Sequence, residues 1–400
     1  MQTGMHARVG AGSMSASRVG AGQRSLVRRF LHQANLPLIL VVGLLTSYGL
    51  LVVNVAIVGS ADYAFSKQLF GVGIGMVLLV LLWIFDYRKL APFMIPLLII
   101  DVILLLSPMI PGVGLSVNGA RSWVVIFGQQ FQPGEPAKII TIVYLAAMVS
   151  RYQGKINSGR EYIKVLALSL IPVAGIMTQP DLGSGMVLFV IAMVILFTGG
   201  ANRKWLLLTI AIIIAMIVSV LAFDSALDDY FGYDVLLKDY QKNRLLVFLD
   251  ENLDPDGAGY NLKQAKIAIG SGGFMGKGIG NATQSGLGFL PEAPTDFIFC
   301  VLAETFGFVG SVALIVLYTA LLLLTLRVAI MVNDRFGTLI ATGTIGMWLF
   351  QIFENIGMDC GLMPITGIPL PFMSYGSSFM VVNFMALGLI FSIYRKRDEK

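Results

Sequence analysis

The sequence predicts an all-α polytopic membrane protein, ten transmembrane helices with a large extracytoplasmic loop between helices 7 and 8. Three observations lead there. Of 400 residues, 56% are hydrophobic and only 13% charged, about half the charge of a soluble domain, and the mean hydropathy is +0.80. The apolar residues form continuous runs, where a transmembrane barrel shows alternating segments of about ten residues. Basic residues collect in alternate gaps between the runs, as the positive-inside rule requires.

The runs fall near 36–58, 68–85, 91–108, 136–150, 162–177, 183–198, 205–223, 297–326, 338–357 and 379–394. A span takes about 20 residues, so ten consume roughly half the chain and leave room for one sizeable loop. The membrane domain covers 34–397, and 224–296 is the long extracytoplasmic loop within it. Residues 1–33 are rich in Gly, Ser, Ala and Arg, and RVGAG occurs twice, which predicts a disordered basic cytoplasmic tail. A full span follows the tail directly, so it reads as an uncleaved anchor. Its arginines set topology more readily than they bind anionic lipid. With the N-terminus inside, Arg88/Lys89, Arg151/Lys155/Arg160/Lys164, Arg203/Lys204, Arg327/Arg335 and Arg395/Lys396/Arg397/Lys400 all face the cytoplasm, as do both termini. The net charge of +5 therefore speaks for membrane topology and not for nucleic acid. Cys300 and Cys360 form no CxxC pair, which leaves neither a metal signature nor a disulfide framework.

This topology puts 107–135, 178–182, 224–296 and 358–378 outside, and the chemistry is expected there. Near the end of the long loop, Glu292 and Asp296 precede the apolar Phe297-Ile298-Phe299. A carboxylate at the water–hydrocarbon boundary is desolvated, which raises its pKa toward that of a useful general base. Equally, Thr295 or Asp296 would serve as a helix cap. Arg121 beside Trp123 suits a lipid-phosphate headgroup, although Trp favours interfaces without any catalytic reason. Glu135 and Lys138 stand at i, i+3 and reach one another on one helical face. Gly270-Ser271-Gly272-Gly273 and Gly276-Lys277-Gly278 suggest a phosphate cradle, but their spacing fits no known phosphate fingerprint, and a turn between interfacial helices is the plainer account. Asp101, Glu304 and Glu354 lie inside apolar runs, where ionisable groups are costly and mark function or interhelical contact. Between Pro364 and Pro371 four residues are Pro or Gly, which forbids a continuous helix. Such broken backbone must be buried or line a polar cavity.

These motifs resemble the SEDS family of bacterial peptidoglycan polymerases (the FtsW/RodA/SpoVE family). The resemblance runs from about residue 37 to 397, through NGARSW (Asn118–Trp123), FQPGEPAK (Phe131–Lys138), QPDLGSG (Gln179–Gly185), YQKNRLLVFLD, DPDGAGYN, AIGSGGFMGKGIGNATQ (Ala268–Gln284), FLPEAPTDFIF (Phe289–Phe299) and GLMPITGIPLPFMSYGSS (Gly361–Ser378). DPDGAGYN and the TQ-to-FLPE segment look RodA-like, the elongation branch. The sequence departs from the family pattern at Pro294, Thr305 and Ser377.

The resemblance implies a glycosyltransferase that joins lipid II units with inversion at the anomeric carbon, beside a class B penicillin-binding protein transpeptidase, in the bacterial cytoplasmic membrane. It implies Asp296 as the catalytic carboxylate and places Arg121, Trp123, Glu135, Lys138, Lys277, Glu292, Ser374 and Tyr375 on family motifs, as substrate-binding candidates. Arg121, Lys138 or Lys277 would then stabilise the departing diphosphate. A divalent cation would also neutralise it, but the sequence shows no dedicated ligand cluster. The competing readings are a lipid II flippase or ion-coupled transporter and a noncatalytic scaffold for a crosslinking enzyme.

Overall fold

The computed structural model describes residues 34–58, 62–117, 120–126, 129–156, 158–179, 181–231 and 239–399, so the basic tail expected at 1–33 lies outside the described residues. In chain order the helices are α1 (Leu36–Ala56), α2 (Phe65–Ile84), α3 (Met94–Leu106), α4 (Gly134–Ser150), α5 (Gly159–Met177), α6 (Leu182–Thr198), α7 (Arg203–Phe231), α8 (Asp239–Leu246), α9 (Ala258–Gly272), α10 (Ile298–Met331), α11 (Arg335–Asp359) and α12 (Ser377–Arg395). A 3-10 helix, Tyr87–Phe93, leads into α3. Each apolar run thus forms a helix, with α8 and α9 lying on the long connection between α7 and α10. Among the described residues, seven helical segments are long and apolar enough to cross a membrane, and α6 is apolar but shorter. The chain is a polytopic helical membrane protein.

Local chemistry explains where helices begin. The Asn35 side chain accepts from Leu38 N at 3.3 Å with Pro37 in the first turn, a pairing that suits a helix start. Ser158 and Glu161 form a reciprocal capping box at α5. Asp181 accepts from Ser184 N at 2.9 Å at the start of α6, and Asp334 accepts from Phe336 N and Gly337 N at the start of α11.

Helix α4 is buried nearly all round and packs against α3, α5, α6 and α11, which makes it the centre of the bundle. Helices α2 and α12 approach through small residues. A Cβ on Gly71 would lie 2.6 Å from Ser377 Cα, and one on Gly388 would lie 2.8 Å from the Leu79 carbonyl oxygen. Lipid supplies little hydrophobic drive between helices, so close backbone contact of this kind holds them.

Helix α10 is broken at Gly307, whose φ of 65° and ψ of −159° are not helical. The backbone groups freed there pair with the neighbouring segment: Lys277 N–H donates to Glu304 C=O (2.9 Å), Gly278 N–H to Thr305 C=O (3.0 Å) and Phe308 N–H to Gly273 C=O (2.9 Å). No sequence expectation covered this break. Gly is needed because only it adopts positive φ without strain and because Gly276 backbone passes too close for a side chain.

The bundle has two chemically distinct ends. At one, Arg88 donates to the carbonyls of Lys396 and Glu399, Arg395 to Ile84 C=O, and the Arg335 guanidinium sits beside Gly154. At the other, β1 (Gly114–Val117), β2 (Ala120–Ile126) and β3 (Gln129–Phe131) form a three-stranded antiparallel sheet, with Leu115 opposite Trp123 and Val124 opposite Phe131. The turn before α6, the α7–α10 connection and the helix-free segment 360–376 gather at this end.

In α1, a Cβ on Gly49 would overlap the Phe372 carbonyl and lie 2.8 Å from Met373 Cα, whereas Gly43 faces open space. Gly49→Ala should destabilise the purified protein by about 1–3 kcal/mol through overpacking, read as a lower melting temperature in detergent. Gly43→Ala should leave that temperature unchanged or raise it slightly.

Candidate active site

Helix α10 starts at Ile298 with Phe297 as its cap residue and no side-chain cap bond. The Asp296 carboxylate is therefore not engaged in capping, and one of the two even readings of its position falls away. The main chain of Thr295, Asp296 and Phe297 folds back on the Glu292 carbonyl, and Glu292 takes a positive φ of 53°, a strained conformation for a non-glycine residue. This tight turn directs Asp296 into a cavity of about 240 Å³ lined by Arg244, Asp254, Gly257, Ala258, Asn261, Glu292, Asp296, Phe297 and Ile365. Pockets that enclose a whole drug-sized ligand run to about 300–1,000 Å³. This cavity suits a reacting centre, with the remainder of a larger substrate outside it.

Four chain segments far apart in sequence meet here. Asp296 is within electrostatic reach of Arg244 from α8 and of Asp181 from the turn before α6. Gln132, at the end of the β-sheet segment, donates to Asp181 at 3.4 Å. Gly367 of the helix-free segment abuts both charged groups: a Cβ there would lie 2.9 Å from Asp296 Oδ2 and 3.9 Å from Arg244 Nη1. Burial, reinforced by the negative charges of Glu292 and Asp181, pushes the Asp296 carboxyl up to about 6, while Arg244 and a bond from Thr295 oppose the shift. The result is a carboxylate, poised close to neutral pH, with a guanidinium beside it.

Glu292 also lines the cavity and accepts from Tyr63 Oη at 2.7 Å and Thr295 Oγ1 at 3.1 Å. Tyr63 packs edge-on against Tyr375 at 5.1 Å between ring centroids. The Tyr375 N–H donates to Pro294 C=O at 2.8 Å, and its hydroxyl bonds the Ala64 backbone, so Tyr375 ties α2 to the Asp296 turn. Ser374 is fully buried, its hydroxyl accepting from Leu370 N at 2.8 Å.

The remaining candidates lie elsewhere. Arg121 is exposed on β2, with Trp123 half-buried on the same strand, and neither lines the cavity. Glu135 and Lys138 form a buried ion pair of 2.6 Å at the start of α4, with both side chains at most 3% exposed. Lys277 is bound to Glu304 at 2.8 Å. The same carboxylate accepts from the backbone N–H groups of Thr283, Gln284 and Ser285 at 2.8–3.1 Å and from the hydroxyls of Thr283 and Ser285. Lys277 and the segment Thr283–Ser285 thus enclose an anion that is the protein's own Glu304, while the N–H groups of Gly276, Lys277 and Gly278 go to main-chain carbonyls. Asp101 accepts from Thr141 at 2.8 Å, an α3–α4 contact.

Among the described residues, no group of three or more His, Cys, Asp or Glu could hold a metal ion. Asp254, Glu292 and Asp296 all line the cavity without forming such a group. Arg244, Asp254 and Asn261 were not among the candidates picked from sequence, although all three stand in motifs that carry the resemblance, YQKNRLLVFLD and DPDGAGYN. Their place in the wall of the Asp296 cavity is what singles them out.

Residues 30–399 match the model of the FtsW/RodA/SpoVE family, described as cell cycle protein. The chain belongs to this family. Among its relatives, Stage V sporulation protein E of Bacillus subtilis is 34% identical over 369 residues, 90% of this chain and 97% of that one. Peptidoglycan glycosyltransferase MrdB of Escherichia coli K12 is 35% identical, covering 88% of this chain and 93% of that one. Among solved structures, a chain from work on the structural coordination of polymerization and crosslinking by a peptidoglycan synthase complex matches with a TM-score of 0.73 at 30% identity, over 91% of this chain and 98% of that one. The Thermus thermophilus rod shape determining protein RodA matches at 0.65 and 28% identity, over 91% and 97%.

In this family member both partners of the Glu135–Lys138 pair are buried. Lys138→Met should destabilise the fold by about 3–5 kcal/mol by stranding a buried carboxylate, and joint replacement as Glu135→Gln with Lys138→Met should recover most of that loss in a thermal melt.

Proposed function

We infer that this chain is a peptidoglycan glycosyltransferase that polymerises lipid II, a disaccharide peptide on a polyprenyl diphosphate, into glycan strands. The observation that carries this reading is the half-buried Asp296 carboxylate with Arg244 beside it, at the meeting of the four polar segments, in a chain whose relatives are named for this activity. We assign it to cell-wall elongation, in keeping with its likeness to a rod shape determining protein. Its partner on this reading is a class B penicillin-binding protein, since a structural relative belongs to a complex that coordinates polymerization with crosslinking. All ten long helices cross the bacterial cytoplasmic membrane, with the arginine-rich end and both termini in the cytoplasm. Helices α4 and α6, at 17 residues each, are at the short limit of about 17–25 residues for a span. The α7–α10 connection then lies outside.

Chain growth joins a sugar 4-hydroxyl to the anomeric carbon of a lipid-linked donor. The new C–O bond forms as the bond from that carbon to the diphosphate oxygen breaks, and the bonding pair leaves with the diphosphate. Asp296 takes the hydroxyl proton as general base. Arg244 is the cation beside it, and its planar fork suits a departing diphosphate oxygen pair. That role passes to Arg244 because it lines the cavity with Asp296 and Lys138 and Lys277 do not. Arg121, exposed on the β-sheet, would meet the diphosphate on approach. An α-linked donor and a β-linked product require one inversion, hence one base and no covalent carboxylate intermediate. On this reading the polyprenyl tail reaches the site sideways from the outer leaflet.

Purified protein with labelled lipid II tests the reading. Wild type should form polymer, and Asp296→Asn should lower turnover by about 10²–10⁴-fold, the usual contribution of a general base, with the melting temperature retained. Leaflet exchange without polymer would assign the chain to transport, and neither activity would make it a scaffold. The pH dependence carries the sign of a base: kcat/KM for lipid II should fall as pH drops through about 6, the Asp296 value, and be level above it. A limb near the ordinary carboxylate value of about 4 would take Asp296 out of the role.

A further inference from the structure

Asp296 and Arg244 reach the cavity from different parts of the chain, yet both are tied to one turn, Ile365–Ile368. The Ile365 N–H donates to Arg244 C=O at 3.4 Å. The Asn355 side-chain amide donates to Asp296 C=O at 2.7 Å and to Ile368 C=O at 2.9 Å, so one group joins the backbone of the acid to the end of the turn. Inside the turn, Thr366 Oγ1 donates to the Glu354 carboxylate. Gly367, at φ +72°, stands where both Asp296 Oδ2 and Arg244 Nη1 would meet its Cβ. Glu354 and Asn355 are adjacent on α11, both fully buried, and neither lines the cavity.

We propose that Glu354 and Asn355 are positioning residues for glycosyl transfer: from α11 they grip the turn at Thr366 and Ile368 and thereby set the separation between Asp296 and Arg244. The proposal rests on the roles given to those two residues above. The grip acts on either side of Gly367, which leaves no side chain to wedge the carboxylate and guanidinium apart. Small displacements of reacting groups matter in this setting, since a shift of about 1 Å reduces turnover by about 10²-fold. A grip that only satisfied buried backbone would change stability and leave the chemistry of the folded enzyme alone.

The test is steady-state polymerisation of labelled lipid II by purified variants, with melting temperature measured alongside. Thr366→Val and Asn355→Ala should lower kcat by about 10- to 100-fold with KM for lipid II unchanged. Thr366→Ser, which keeps the hydroxyl, and Glu354→Gln, which keeps an acceptor, should retain wild-type kcat. Gly367→Ala should fall with the first group. Wild-type kcat in folded Thr366→Val and Asn355→Ala would overturn the proposal, as would a loss confined to KM or one that Thr366→Ser shares. Should Asn355→Ala fail to fold, the Thr366 pair decides alone. Asp296→Asn runs in parallel: if it is inactive while Thr366→Val is fully active, only the positioning role falls; if it is fully active, the base assignment falls and the positioning role with it.

Discussion

Between α11 and α12 the chain runs without helix through the inside of the bundle, and backbone N–H and C=O groups there have no helical partners. A buried polar group left unpaired is costly, so the surrounding helices supply partners one by one. Tyr318 from α10 donates to Pro371 C=O at 2.7 Å, Asn355 from α11 to Ile368 C=O, and Gln68 from α2 brackets Ser374 C=O and Gly376 N–H at 3.2 and 2.9 Å. Ser374 itself caps Leu370 N–H. Three helices are therefore bound to one irregular segment, and that segment supplies the wall against which Asp296 and Arg244 are set. The site follows from how the break is satisfied.

The acidic groups of the bundle obey the same constraint with different outcomes. Glu135 is paired with Lys138 through one oxygen and leaves Oε2 buried without a hydrogen-bond partner, whereas Glu304 is saturated by Lys277, three backbone N–H groups and two hydroxyls. A charge so fully matched stabilises local structure and has little left for a substrate. Asp296 is matched incompletely. Its own helix leaves it uncapped, two other carboxylates raise its proton affinity, and Arg244 only partly compensates. Incomplete compensation is what makes a carboxylate available as a base near neutral pH.

Much of the architecture was legible before any coordinates. The ten apolar runs became helices within a few residues, except that α7 and α10 extend further than their runs. The prolines and glycines from Pro364 to Pro371 marked the break because proline lacks a donor and clashes with a helix. The kink at Gly307 was not legible, because an isolated glycine in a long apolar run is ordinary in membrane helices. Lys277 falls on a family motif and so reads as a diphosphate ligand, but the motif does not show that Glu304 already holds it. Arg244 was overlooked because it lies far from Asp296 in the chain.

Composition, hydropathy period and the position of basic residues determined that this is a helical membrane protein and where its polar segments lie, since those properties depend on the solvent each residue must face. Motif resemblance narrowed the chemistry to one family. Apart from Glu135 and Lys138, already paired by their i, i+3 spacing, which charge neutralises which was decided by the tertiary structure. Arg244, Asp296 and Gly367 are distant in sequence, and the few ångströms that separate them are set only in the folded chain.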